Sequence, residues 1–471
     1  MREISRNWVG GVSFLVELME KLSKSIMSIT KLSFLVIISL LKARRFKNFF
    51  FWHYSTALTV IISFLNSSNF YSQLELRKQF DNEKHRADLE RYGGNQSLRD
   101  VHNISLATKI FIQHKREFYE KNPTRLLGSA FTQSFGHLAW GVGYRIKARM
   151  LDLTNTNYVM VGSPPANSWI VKNYWSEHLS YIPLEENLSK FLEITNSFLF
   201  EDIETLQVGE RFYGAEVGAS LIDEEWNNKY SGKSLLNLNE EDRKYGYLKL
   251  KEYGFGSIDW FVTFHFRNRG NEKYRNPSST TYIKAIETII NEGGHVFCIG
   301  DGGNLNELIH SRKFFDFGTV KSRDDRLDIF LLAECRFMVG SSSGPLDVPP
   351  LFGKGVLWTN CSNLVMNNFH NNSILIPRLR TRLDKPNFDE FLADIKNGFY
   401  ENDSLPSGVS GLQLDANTSV EIEEGVKEML KMEWNIPLGG KEKVIAETIK
   451  QRGGVSSSNR ISKFFLHSNF S

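Results

Sequence analysis

The sequence has little cysteine and no spacing typical of a metal site. Its 471 residues include three cysteines, Cys298, Cys335 and Cys361, which lie apart and form no Cys-x-x-Cys pair. This pattern excludes a disulfide framework or a zinc finger, and it favours a reducing, cytosolic setting. The cysteines therefore predict no metal site of their own, and we expect no cofactor.

A strong excess of charge is also absent. The net charge is +3, which is close to neutral for a chain of this length and argues against a nucleic-acid-binding protein. What the chain has instead is length and aromatic content: 471 residues are too many for one hydrophobic core, so we expect two or more domains.

Residues 1–124 differ from the rest and are predicted to form a helical N-terminal arm. Residues 32–41 are apolar, and residues 49–65 carry no Lys, Arg, Asp or Glu, although several hydroxyl groups dilute the second run. A basic cluster lies between the two runs: Lys42, Arg44, Arg45 and Lys47. The second run begins too far into the chain for a signal peptide.

Three interpretations of residues 49–65 remain open. The run is shorter and more polar than the roughly 20 apolar residues that a membrane span needs. Buried helices packed on the globular body and an interfacial element held by the basic cluster are two of the interpretations. The third is a true span, which the length and polarity of the run disfavour. We expect a cytoplasmic protein, with peripheral contact at the inner face of the plasma membrane under the second interpretation.

Residues 125–248 predict a first α/β unit. Strands are expected at 125–131, 158–161 and 179–182, with helices at 138–153 and 168–178 between them. Alternating strands and helices imply a parallel sheet, whose ligands bind beyond the carboxyl ends of the strands. His137 lies where the first strand meets the first helix, so it is a candidate general base. The alternative is a structural or helix-capping histidine.

Residues 249–400 predict a second α/β unit more clearly. Strands are expected at 258–266, 295–299, 314–317, 336–339 and 356–359, with a turn after each. Because the carboxyl ends of parallel strands meet at one edge, the turns are expected to line one crevice. The candidate binding residues in these turns are His265, Arg267, Arg269, Gly300, Asp301, Lys321, Ser322, Ser341, Ser342, Ser343 and Gly344.

The turn after the fourth of these strands predicts an anion site. Ser341, Ser342 and Ser343 supply hydroxyl donors, Gly344 follows them, and residues 346–352 are expected to begin a short helix. Arg267 and Arg269 would clamp a diphosphate from the opposite side, unless they are ordinary surface residues. The glycines at 300, 302 and 303 do not complete a dinucleotide-binding fingerprint.

Two further features have alternative explanations. Asp324 and Asp325 form a carboxylate pair that suits either a metal ion or, as we favour, a helix N-terminus. Residues 401–471 are expected to contain a C-terminal helix and a tail, and the helix at 420–432 is a candidate for crossing back to the first unit.

These residues resemble a known family. The segment from Phe264 to Gly270, the Gly300-Asp301 turn, Lys321-Ser322 and the Gly-Ser-Ser-Ser-Gly turn at 340–344 are similar to the C-terminal half of GT-B glycosyltransferases. They most resemble a group of bacterial surface-polysaccharide glycosyltransferases, and the His-x-Arg loop is similar to that of fucosyltransferases. Gly270 and Asn271 stand where fucosyltransferases usually carry an acidic residue, so the donor sugar is not carried over.

The resemblance implies a GT-B fold, an α/β architecture of two facing Rossmann-like domains with the helical arm before them. Residues 125–248 would form the acceptor domain and residues 249–400 the nucleotide-sugar domain. The implied activity is metal-independent transfer of a sugar from a UDP- or GDP-linked donor to a glycan or lipid-linked acceptor, with His137 and Arg267 as catalytic residues. The alternatives are a non-catalytic nucleotide- or glycan-binding scaffold and another transferase, such as a pyruvyl transferase, on the same fold.

Overall fold

The computed structural model describes residues 124–184, 189, 200–209, 211–256, 259–267, 276–300, 305–319, 324–364, 372–380, 386–397, 400, 414–431, 439–451 and 460–470. The predictions for residues 1–123, and those for Arg269, Asp301, Lys321 and Ser322, lie outside these ranges. The chain divides into two compact units. One comprises Met1–Gln73 and Glu185–Ser197, of which only Ser189 is described. The other contains all the remaining described residues, so the described parts of both α/β units lie in it, apart from Ser189.

The described strands form three sheets. A three-stranded parallel sheet has the order β1-β2-β3, a two-stranded antiparallel sheet pairs β4 with β5, and a seven-stranded parallel sheet follows. Their bounds are β1 Thr124–Leu127, β2 Asn157–Gly162, β3 Ser180–Pro183, β4 Thr205–Val208, β5 Arg211–Gly214, β6 Phe261–His265, β7 His295–Ile299, β8 Phe314–Asp316, β9 Phe337–Ser341, β10 Gly355–Cys361, β11 Ile374–Pro377 and β12 Arg460–Ile461.

Helices connect and cover these strands. Their bounds are α1 Ser129–Thr132, α2 Val142–Met150, α3 Ser168–Asn173, α4 Ala215–Tyr230, α5 Glu240–Lys251, α6 Ile283–Asn291, α7 Asp325–Glu334, α8 Phe388–Lys396, α9 Ser419–Lys431, α10 Gly440–Gln451 and α11 Lys463–Phe470. Short 3-10 turns occur at Trp175–Glu177, Ser279–Tyr282, Leu305–Glu307, Phe317–Thr319, Gly344–Asp347 and Pro349–Phe352, and a π-helical turn spans His137–Gly141.

The large sheet has the strand order β8-β7-β6-β9-β10-β11-β12, and each of its strand pairs is parallel. Strands β6, β7, β9 and β10 are buried along their whole length. Their aromatic and β-branched residues suit this position, because both faces of a parallel sheet are covered. The order reverses direction between β6 and β9. Open α/β sheets bind ligands at such a reversal, beyond the carboxyl ends of the two strands.

Most predicted elements of this sheet are observed with ends shifted by a few residues. The predicted strand at 295–299 is β7, and the predicted strand at 336–339 is β9, which begins one residue later. The elements of the first α/β unit, residues 125–248, deviate more from their predicted bounds. Its predicted strand at 125–131 ends at Leu127, because Gly128 begins a short helix that buries Phe131.

The helix predicted at 420–432 is α9, and its described part, Ser419–Lys431, packs on the large sheet instead of crossing to the first. It contacts α6 and strands β10 and β11, and it buries Ile422, Val426 and Met429 there. Gly425 permits this close packing, because a Cβ atom at that position would lie 2.7 Å from Ile376 Cδ1. Edge strand β12, near the end of the chain, then extends the same sheet.

Candidate functional site

We call the reversal of strand order between β6 and β9 the switch point of the large sheet. It brings His265 and the 341–344 turn together. His265 ends β6 and is in register with Gly340 of β9, whose strand continues into the serine-rich turn. A Cβ atom on Gly340 would lie 2.7 Å from the backbone oxygen of His265, so the close approach of the two strand ends requires glycine. Two segments separated by more than seventy residues thus form one edge.

The imidazole of His265 is held from two sides. Its Nδ1 lies 3.1 Å from the backbone oxygen of Ile299, and its Nε2 lies 2.8 Å from Ser343 Oγ. A carbonyl oxygen only accepts hydrogen bonds, so Nδ1 carries the proton of the neutral ring and Nε2 accepts from the serine hydroxyl. The side chain is buried, with 8% of its surface exposed.

Gly300 makes room for this ring. Its φ is +85°, a backbone conformation that favours glycine, and a Cβ atom there would lie 2.5 Å from His265 Nδ1. Gly300 therefore supports the position of His265 in addition to ending β7. The turn after β7 made Gly300 a candidate site residue, and the structure adds a steric reason for a glycine there.

The serine-rich turn differs in part from its prediction. Ser341 and Ser342 are buried, whereas Ser343 and Gly344 are partly exposed. Residues 346–352 were predicted to begin one helix, but they form parts of two 3-10 turns, Gly344–Asp347 and Pro349–Phe352, because Pro349 and Pro350 have no backbone N–H to continue one helix. Aligned peptide dipoles sum over several turns, so this segment contributes backbone N–H groups rather than a helix dipole.

His137 of the first unit has a comparable hydrogen bond. Its Nδ1 lies 2.8 Å from the backbone oxygen of Ala130, which fixes the proton on Nδ1 by the same argument. Among the described residues Nε2 has no hydrogen-bond partner, and the half-buried ring packs edge-on against Trp140 with centroids 5.7 Å apart. A neutral histidine in this state presents a proton acceptor.

The turn before His137 touches the serine-rich turn directly. A Cβ atom on Gly344 would lie 2.4 Å from Gly136 N, and one on Gly136 would lie 2.9 Å from Gly344 Cα. The carboxylate of Asp347 also lies here, since the same Cβ on Gly136 would be 2.6 Å from Asp347 Oδ2. Two glycines thus allow the turn before His137 and the serine-rich turn to touch.

Other candidate residues are placed as follows. Arg267 lies two residues beyond the end of β6 and is half-buried. Asp324 caps α7 through bonds to the backbone N–H groups of Arg326 and Leu327, which confirms the capping interpretation. Asp325 accepts a bond of 2.7 Å from the backbone N–H of Ser168. Within the described ranges, no group of three or more His, Cys, Asp and Glu residues could hold a metal ion.

A buried polar cluster on Asp242, which was not predicted from the sequence, also links the first α/β unit to the second. Asp242 is 2% exposed and accepts bonds from Trp169 Nε1 at 2.9 Å, from Tyr174 Oη at 2.5 Å and from Arg326 Nε at 2.7 Å. Burial, together with the bond to Asp242, raises the pKa of Tyr174 well above its usual value. We call these four residues the Asp242 cluster.

The Asp242 cluster continues along α7. The guanidinium of Arg326 lies over the rings of Trp169 and Tyr245, at 4.7 and 4.3 Å from their centroids. Tyr245 in turn donates to Asp324, and burial with this bond raises the pKa of Tyr245 to about 12. In the sequence, Asp242 is one of three acidic residues in the first turn of α5, and no local signal distinguishes it.

No helix in the described part of the chain has the length and apolarity to cross a membrane. The arm at residues 1–123, to which the membrane predictions refer, lies outside that part.

Comparison with known proteins gives remote structural similarity alone. No protein-family model and no curated protein matches the sequence. A glycosyl transferase family 9 protein from Veillonella parvula is similar at 12% identity and a TM-score of 0.41, over 65% of this chain and 97% of that one. The ADP-heptose lipopolysaccharide heptosyltransferase II of Escherichia coli gives 12% identity and a TM-score of 0.40, over 65% and 98%.

Proposed function

We propose that the protein is a GT-B-type glycosyltransferase that moves a sugar from a nucleotide-sugar donor to a glycan or lipid-linked acceptor. The observation that carries the proposal is the contact between Gly136 and Gly344. It brings His137, whose Nε2 has no hydrogen-bond partner among the described residues, next to a serine- and glycine-rich turn at the switch point of a parallel sheet. That position is where α/β sheets bind ligands.

The proposed reaction needs a base and a group that stabilises negative charge. The acceptor hydroxyl oxygen attacks the anomeric carbon, the bond from that carbon to the diphosphate oxygen breaks, and His137 Nε2 takes the hydroxyl proton. Negative charge develops on the departing nucleoside diphosphate. Arg267 and the backbone N–H groups at residues 343–344 would stabilise it, and Arg269, Lys321 and Ser322 would contribute further contacts.

We propose that this chemistry needs no metal ion, because arginine side chains supply the positive charge. A reaction unchanged by EDTA supports this part of the proposal. Activity lost with EDTA and restored by Mg²⁺ or Mn²⁺ would replace the arginine clamp with a metal-bridged diphosphate.

A screen of nucleotides tests the proposed function. Thermal unfolding is followed with UDP, GDP, ADP and CMP and with sugars linked to each, since a ligand that binds the folded state raises the melting temperature. Slow hydrolysis of one nucleotide sugar is then expected in the absence of acceptor. Binding without hydrolysis or transfer to any acceptor would favour the non-catalytic scaffold, and no binding at all would contradict the proposal.

A further inference from the structure

We propose that Ser343 accepts a hydrogen bond from a hydroxyl group of the bound nucleotide sugar, and that His265 is the positioning residue that gives Ser343 this polarity. The inference deepens the proposed function and rests on it. It departs from the simple expectation that the serines at 341–343 all donate to phosphate.

The first step is the direction of the hydrogen-bond chain. The oxygen of Ile299 can only accept, so the Nδ1–H of His265 donates to it across 3.1 Å. The lone pair of His265 Nε2 therefore faces Ser343 Oγ at 2.8 Å. The hydroxyl proton of Ser343 must lie in this short contact, because a neutral imidazole has a single N–H group.

The second step is that the surroundings hold the ring in this orientation. Gly300 leaves no space beyond the ring edge, since even a Cβ atom there would lie 2.5 Å from His265 Nδ1 and from Cε1. A flip of the ring would place carbon atoms against both Ile299 O and Ser343 Oγ and would lose both bonds. The ring is also buried, with 8% of the residue exposed.

The third step concerns what remains for a ligand. With its proton directed at His265, Ser343 Oγ offers lone pairs, and Ser343 is partly exposed at the turn. Diphosphate oxygens are acceptors above neutral pH, so they cannot bond to Ser343 in this state. A ribose or sugar hydroxyl is a donor and fits. The diphosphate then depends on backbone N–H groups and Arg267, and Ser343 contributes to selectivity for the rest of the nucleotide sugar.

The test compares three probes at pH 8: pyrophosphate, the nucleoside diphosphate that gives the largest thermal shift, and the sugar linked to it. Ser343→Ala is expected to leave the Kd of pyrophosphate unchanged and to weaken the hydroxyl-bearing probe roughly three- to tenfold, the usual range for one neutral hydrogen bond. The control is Ser176→Ala, which removes a hydroxyl bonded to Lys172 O in the first unit, and it should alter neither value.

The probes also identify the hydroxyl. If Ser343→Ala weakens the affinity for the nucleoside diphosphate but not for its 2′-deoxy or 3′-deoxy form, Ser343 binds a ribose hydroxyl. A loss confined to the intact nucleotide sugar assigns it to the sugar. An equal loss for pyrophosphate and for the other probes would show that Ser343 donates to phosphate and would overturn the inference while leaving the proposed function intact. Absence of binding to wild-type protein would instead contradict the proposed function.

A second measurement does not depend on a substitution at His265. In protein labelled with ¹⁵N-histidine, the ring signal that shifts in Ser343→Ala is expected to show protonated Nδ1 and unprotonated Nε2. A ring protonated on both nitrogens at pH 8 would reverse the donor in the Ser343 contact and contradict the inference.

Discussion

His137 begins the π-helical turn of the first α/β unit and His265 ends β6 of the second, and the two histidines have opposite prospects for chemistry. Both donate Nδ1–H to a backbone oxygen, of Ala130 at 2.8 Å and of Ile299 at 3.1 Å, so both have the same tautomer. They differ at Nε2. That of His265 is bonded to Ser343 Oγ, whereas that of His137 has no partner among the described residues.

This difference indicates that the tautomer alone does not identify a base. The backbone bond prepares Nε2 as an acceptor in both cases, and its neighbour decides what it accepts. His265 accepts an intramolecular proton and thereby orients a serine. His137 is left with an acceptor beside the contact between Gly136 and Gly344, which is what a general base needs.

The largest expected effect is on turnover. His137→Ala should lower the rate of sugar transfer by roughly 10²–10⁴-fold, the usual contribution of a general base, while nucleotide binding to the second unit stays near the wild-type value. Steady-state rates and titrations measure the two quantities. A variant that melts at the wild-type temperature and transfers sugar at the full rate would remove the distinction between the two histidines.

The second effect is on stability and concerns the Asp242 cluster, whose polar groups are satisfied within the protein. Asp242→Ala leaves Arg326 without its 2.7 Å partner and should reduce the free energy of unfolding by about 3–5 kcal/mol. Glu241→Ala is the matched control, since this carboxylate contacts the same arginine at 3.4 Å but its side chain is 87% exposed. That surface pair should contribute about 0–1 kcal/mol. Equal losses in denaturant titrations would contradict the account.

The third effect separates binding from catalysis. Arg267→Ala should weaken the best nucleoside diphosphate by about 1.5–3 kcal/mol, because it removes a charge-assisted hydrogen bond. The same substitution should have little effect on the melting temperature without ligand. Unchanged affinity in calorimetric titrations would mean that Arg267 is a surface residue and that the clamp is wrong.

The smallest effect tests the contact between the turns. A methyl group on Gly344 would meet Gly136 N at 2.4 Å, so Gly344→Ala should cost about 1–3 kcal/mol of stability through overpacking and should also reduce transfer. Gly439→Ala is the control, because nothing lies within 4 Å of its Cβ position. Gly344→Ala with the stability and activity of Gly439→Ala would show that the turns need not touch.

Sequence patterns predicted β6 to β10 of the large sheet because these strands are short, buried, β-branched and aromatic runs separated by turns, but they missed β11 and β12. They also predicted that the ends of several strands share one edge. They could not predict that β9 lies next to β6, since strand order depends on tertiary packing, and so the bond between His265 and Ser343 was not foreseen. Asp242 was missed because its partners Trp169, Tyr174 and Arg326 are all more than sixty residues away.

Hydrogen–deuterium exchange with the selected nucleotide sugar tests the central claim most directly. If the ligand binds where the two turns meet, amide exchange should slow both in peptides covering residues 336–352 and in peptides covering residues 130–142. Peptides from β12 and α11, which lie away from the switch point, should be unchanged. Slower exchange in only one of the two turns, or elsewhere in the chain, would contradict a site shared by the first and second α/β units.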